Sequence, residues 1–164
     1  MRRLLKFLHT IGAIGLMGGM ASLLVLMSFA PPPSSLAGYA LVYSAMAGIA
    51  SWIVYPSMVI TIIAGLLAIG ANPAFHNAGW VGAKLATGVL IFEGTLVYVQ
   101  GPLKQEAERS AAALAGELDP ATITGFANSE RNTLWLMLVI ATANVALGVW
   151  RPRFTRPRPP DGGG

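Results

Sequence analysis

Apolar residues gather into four long blocks, at 4–30, 39–70, 80–100 and 132–150, each without the period-two alternation of a strand and each reading as helix. About 20 apolar residues in a helix cross roughly 30 Å of hydrocarbon, so every block is long enough to span a bilayer. Beyond the basic start at Arg2, Arg3 and Lys6, their only acidic, basic or imidazole side chains are His9, Lys84 and Glu93. An ionisable group inside a membrane is expensive, which makes each of the three a functional candidate.

Two stripes are legible in the first block. Gly12, Gly15 and Gly19 fall along one side, with Gly15 and Gly19 at small-xxx-small spacing, so that a second helix or a flat ligand can approach closely. On the adjoining side, His9, Ala13, Leu16, Met20, Leu23 and Met27 recur at helical spacing. Pro31, Pro32 and Pro33 end this helix, and Ser34 and Ser35 can cap the next. The second block exceeds the needs of one span, so it tilts or projects, and Pro56 in its middle, beside Trp52 and Tyr55, predicts a kink. A short turn with Asn72, Pro73, His76 and Asn77 leads to the third helix at Trp80, an interfacial anchor by residue type. That helix puts Trp80, Lys84, Thr87, Gly88, Ile91, Thr95 and Tyr98 on one face.

Past the third block the pattern changes. Lys104, Glu106, Glu108 and Arg109 stand among alanines, a helical but water-facing composition that carries the third helix out of the membrane. Asp119-Pro120 reads as an N-cap and first-turn pair, so the fourth helix is expected to begin there and return through Phe126. The expected fold is all-α: a four-helix transmembrane bundle over 1–152, a helical hairpin at 101–131 on the outer side between the third and fourth helices, and a Pro-, Arg- and Gly-rich disordered tail at 153–164.

Composition agrees, with 54% hydrophobic and 11% charged residues, far below the roughly 25% charge of a soluble domain. The formal charge of +4 sits at the two ends, in Arg2, Arg3 and Lys6 and in Arg151, Arg153, Arg156 and Arg158, which argues for topology and against nucleic acid. Short basic flanks stay inside, so both termini are expected in the cytoplasm of a bacterial inner membrane. The N-terminus has the look of a secretory signal, but its apolar run is too long and a cut after Ala30 would face Pro31. With no cysteine, the chain has no disulfide, thiolate metal site, iron–sulfur cluster or covalent haem attachment.

With both termini inside, His9, Lys84 and Asn144 come to a similar depth on three helices, and three polar groups at one level can build a cofactor site in a bundle. His9 can ligate haem iron, with Gly12 and its neighbours leaving room for the macrocycle, or can simply hydrogen-bond near the headgroups. Lys84 can pair with a propionate, serve as a neutral-amine ligand, or snorkel to the interface. Glu93 lies nearer the midplane on roughly the opposite helix face and is a candidate proton relay. Met20 and Met27 are more than two turns from His9 and read as packing residues. No hydrolase signature, phosphate loop or paired metal motif is present.

Leu5-Lys6-Phe7-Leu8-His9 opening a glycine-rich helix resembles the start of several small bacterial membrane families: DUF2269, the HemJ-type protoporphyrinogen oxidases and the membrane domain of CopD-type copper proteins. Pro56, Met58, Thr61 and Gly65 resemble the second-helix pattern of HemJ proteins, Trp80 with Lys84 their third-helix start, and Arg131-Asn132 with Arg151-Pro152 their last helix. That likeness implies haem b binding and protoporphyrinogen oxidation, with the essential histidine and lysine falling on His9 and Lys84. Leu26-Met27-Ser28-Phe29 replaces the Leu-Pro-Arg segment of HemJ proteins, and Thr133 their acidic residue, so the DUF2269-like pattern with its extended outer hairpin fits better and implies no established activity. Three roles are compatible with these residues: a haem b protein for electron transfer or sensing, a cofactor-free accessory subunit with a membrane partner or a second copy, and a small proton-coupled transporter centred on Glu93.

Overall fold

The first helix, α1, runs unbroken over Arg2–Phe29, and buries Gly12, Leu16, Gly19, Met20, Leu23 and Leu24 along two adjoining stripes. In this computed structural model, which describes residues 2–72, 79–125 and 128–150, no strand occurs among the described residues. The remaining helices are α2 (Leu36–Ile49), α3 (Tyr55–Gly70), α4 (Gly79–Thr95), α5 (Gly101–Leu114) and α6 (Asn128–Trp150). Pro73, His76, Asn77 and Phe126, and the tail 151–164, lie outside the described residues.

These helices make four candidate spans: Arg2–Phe29, Leu36–Gly70, Gly79–Leu114 and Ser129–Trp150. The two longest are each built from two α-helices joined by a five-residue π segment, Ala50–Val54 between α2 and α3 and Leu96–Gln100 between α4 and α5. Each π segment precedes a proline by two residues, Pro56 and Pro102. Proline has no N–H to give to the carbonyl four residues back, and a wider turn is one way to absorb that loss inside a continuing helix. The kink expected at Pro56 is therefore a change of winding rather than an end of helix. Its counterpart at Pro102 is an additional break that the hydropathy pattern does not mark.

Each π segment also rotates the helix beyond it. The α4 face turned to the bundle holds Ile91 and Thr95, but past the π segment the buried positions are Val99 and Leu103, while Tyr98 is exposed. Tyr98 thus leaves the face that straight α-helical spacing assigns to it, because one extra residue per turn shifts the phase by about 100°.

Seen along the bundle, α1 packs against α3, α6 against both α4 and α1, and α2 against α5. The two long helices lie together along α2 and α5, touch at their π segments and part beyond them, since α3 and α4 scarcely touch. Arg2 reaches the Ala71 carbonyl at 3.4 Å, which puts the start of α1 beside the end of α3. This is the basic end of the molecule, and the Pro31–Pro33 turn marks the far end.

At the far end, Tyr39 donates to Glu106 Oε1 at 2.7 Å and lies against Tyr43, ring centroids 4.2 Å apart. Glu106 is therefore half-buried against α2, not simply water-facing. Helix α5 stops in a Schellman motif: Gly116 takes φ +77, its N–H donates to Ala113 and that of Glu117 to Ala112. Asp119 does cap, its Oδ1 accepting from Ala121 N at 3.0 Å, but it caps a single 3-10 turn, Pro120–Thr122. Ile123 is extended, and α6 starts only at Asn128. The returning arm expected as helix from Asp119 is thus a turn and a strap, since Gly125 at φ +80 ends any helical run. Ser35 stands at the N-cap of α2 without a side-chain capping bond, and the Pro32 carbonyl instead accepts from its N–H.

The outer surface is that of a lipid-facing protein. Trp52 at 83%, Phe29 at 80% and Leu41 at 72% exposure would be costly in water and are at home in hydrocarbon.

Candidate functional site

Glycine decides how α1 meets its neighbour. A Cβ on Gly12 would strike Thr61 Oγ1 and the Ser57 carbonyl, one on Gly15 would strike Ser57 Oγ, and one on Gly19 would come within 2.6 Å of Val54 Cγ2. The room that Gly12 and its neighbours were expected to leave for a macrocycle is therefore filled by α3. Backbones packed this closely leave no layer between them.

The same closeness lets His9 reach across. Its Nδ1 lies 2.8 Å from the Thr61 carbonyl oxygen, and its ring rests on Gly65, where a Cβ would stand 3.2 Å from Nδ1. A carbonyl only accepts, so Nδ1 carries the proton and Nε2 of the neutral ring keeps a lone pair. Nδ1–H to a backbone carbonyl is the usual supporting arrangement of a metal-ligating histidine. Thr61 itself is held by Oγ1 donating to the Ser57 carbonyl at 2.7 Å. Thr61 and Gly65, four residues apart on one side of α3, are thus positioning residues that periodicity alone does not single out. Their signal is the small and polar pair recurring inside an otherwise bulky apolar helix.

The second pair of helices places the other candidates. Lys84 Nζ stands over Gly148 of α6, 2.8 Å from where a Cβ would be. Asn144 Nδ2 donates to Thr87 Oγ1 at 2.8 Å, while Thr87 gives its own proton to the Ala83 carbonyl at 2.8 Å. That chain fixes the Asn144 amide with its oxygen pointing elsewhere, and Asn144 Oδ1 is buried with no hydrogen-bond partner among the described residues. Thr95 Oγ1, higher on the same face, is in the same condition.

His9, Lys84 and Asn144 do belong to the basic half of the molecule, yet they are not one constellation. His9 is committed to α3, whereas Lys84 and Asn144 sit in the α4–α6 seam. Glu93 is separate: about two and a half turns from Lys84, it is exposed on the side of α4 that looks away from α6. Met20 is fully buried and Met27 partly buried in the core, as packing residues are. Among the described residues no group of three or more His, Asp or Glu side chains could hold a metal ion.

No curated protein and no solved structure matches the chain. A family model described as a predicted integral membrane protein matches residues 3–152, and with nearly the whole of its length covered the chain belongs to the DUF2269 family.

Proposed function

We propose that this multi-pass membrane protein binds haem b, or a similar planar cofactor, near its basic end, with His9 Nε2 as the protein ligand. The observation that carries the reading is the hydrogen bond from Nδ1 to the Thr61 carbonyl, which sets the tautomer a ligand needs and turns the other nitrogen outward. Lys84 supplies the positive charge that a propionate would seek. Bound there, haem would provide one-electron chemistry, for electron transfer or sensing; this chain's own residues hold, orient and neutralise. The basic flanks support a cytoplasmic position for this end, in a bacterial inner membrane.

The test is an optical spectrum of protein purified in mild detergent after expression with ample haem. A Soret band that His9→Ala abolishes is expected, and that Lys84→Ala retains with affinity weakened about tenfold, the loss of one charge-assisted contact. A colourless protein, or a band that survives His9→Ala, overturns the proposal.

A second reading, a cofactor-free accessory subunit, draws on the filling of the glycine face by α3. Under it, His9→Ala leaves function intact while changing helix packing only.

A further inference from the structure

Helix α4 has two unlike sides. Toward α6 it presents Lys84 over Gly148, Thr87 to Asn144, and Gly94 beneath Met137, where a Cβ would lie 2.7 Å from the sulfur. On the opposite side Gly82, Ala86, Val89, Glu93 and Val97 are all exposed, and nothing lies within 4 Å of a Cβ built on Gly82. These positions are four, three, four and four residues apart, the spacing of a helix–helix seam, with a small pair, Gly82 and Ala86, at one end. Glu93 stands about 21 Å along the helix from Gly79, near the middle of a span.

A carboxyl on a surface that faces hydrocarbon is the feature that needs an explanation. Placed there alone it is an expensive group to keep in hydrocarbon, and headgroups are out of its reach. Apolar neighbours such as Val89 and Val97 could face lipid indefinitely; Glu93 could not. Something must cover it that both donates and accepts hydrogen bonds.

The chain's own chemistry says what. Within the described spans the cations stand toward the two ends, with Lys84 nine residues before Glu93, Lys104 eleven beyond it, and Arg131 on α6 six residues before the Met137 that packs on Gly94, so no face of a second copy lying parallel to the first offers a charge at the height of Glu93. Another Glu93 does match it: where two carboxyls meet with one shared proton, one donates and the other accepts, and a twofold axis between two α4 helices brings them together. The small pair Gly82 and Ala86 then permits the close approach that carboxyl pairing requires. We infer that the Glu93 face of α4 is a self-complementary intramembrane interface, and that a second copy of this chain occupies it with Glu93 against Glu93.

Because the chain has no cysteine, the inference can be tested by disulfide formation in native membranes. Single-cysteine variants Ala86→Cys and Val89→Cys should give oxidised dimers, whereas Val139→Cys on α6 and Val25→Cys on α1, both exposed, should not. In the Val89→Cys background, Glu93→Leu should cut the dimer yield about tenfold, the worth of a good interhelical hydrogen bond, while Glu93→Gln, whose amide also donates and accepts, should keep most of it. Monomers at both α4 positions, equal crosslinking at Val139, capture of a different protein in place of a second copy, or indifference to Glu93→Leu would each overturn it. A Soret band, present or absent, bears on the His9 reading alone.

Discussion

The α1–α3 seam and the α4–α6 seam both set polar groups against glycine, and they use the space in opposite ways. Between α1 and α3, glycine admits only short side chains, Thr61, Ser57 and Val54, with the Ser57 carbonyl also close at Gly12, and the hydrogen bonds named there are Thr61 to Ser57 and His9 to Thr61. Between α4 and α6, glycine admits the ends of long, flexible side chains, the Lys84 ammonium over Gly148 and the Met137 thioether over Gly94, and an amide oxygen is left over at Asn144. The first seam is a rigid mount that orients one imidazole. The second is adaptable, and it leaves a buried amide oxygen without a hydrogen-bond partner among the described residues.

That contrast can be broken most forcefully at Gly19. Gly19→Val drives a branched side chain into Val54, which is backed by a helix and cannot retreat, so a loss of about 3 kcal/mol is expected, at the upper end of overpacking effects, measured by denaturation in mixed micelles. Gly65→Ala is the next strongest: its methyl meets the His9 ring at 3.2 Å, so about 1 kcal/mol is expected, together with a displaced imidazole that nitrogen NMR of the ring would report. On the adaptable side the same kind of change should be milder. Gly148→Ala meets only the tip of a flexible side chain, so stability should fall by less than about 0.5 kcal/mol while the ammonium moves. Smallest of all is Asn144→Leu, which removes one bond and one orphaned acceptor together and should be close to neutral. If Gly148→Ala proved as damaging as Gly19→Val, the two seams would not differ in kind.

Much of this architecture is readable from residues alone, for reasons that differ by feature. The four spans come from length and hydropathy, which the bilayer imposes on any sequence that crosses it. The glycine stripe of α1 is legible because small residues at i and i+4 have few other uses in an apolar helix. Pro56 marks its own break. The π segment ahead of Pro102 is hidden, since a one-residue change of winding alters neither composition nor hydropathy, and straight helical spacing puts Tyr98 on the wrong side as a result. The helix expected from Asp119 fails because a good cap says where a helix can begin, not how far it continues; Gly116 and Gly125, both at positive φ, bracket that segment. For the site, sequence reasoning finds His9, Lys84 and Asn144, but not that glycine divides them between two seams. Tyr39 with Glu106 escapes it because the pairing joins a membrane-type helix to a polar one.

The two π segments touch one another, and ordinary α-helical winding resumes just before each proline, at Tyr55 and at Gly101. They act as paired gear teeth: the half of the molecule holding His9 and Lys84 and the half holding Tyr39 and Glu106 are each in phase with themselves and out of phase with one another. Deleting one residue from Leu96–Gln100 would swing all of α5 by about a quarter turn about its axis, tearing Glu106 from Tyr39 while leaving the imidazole mount untouched.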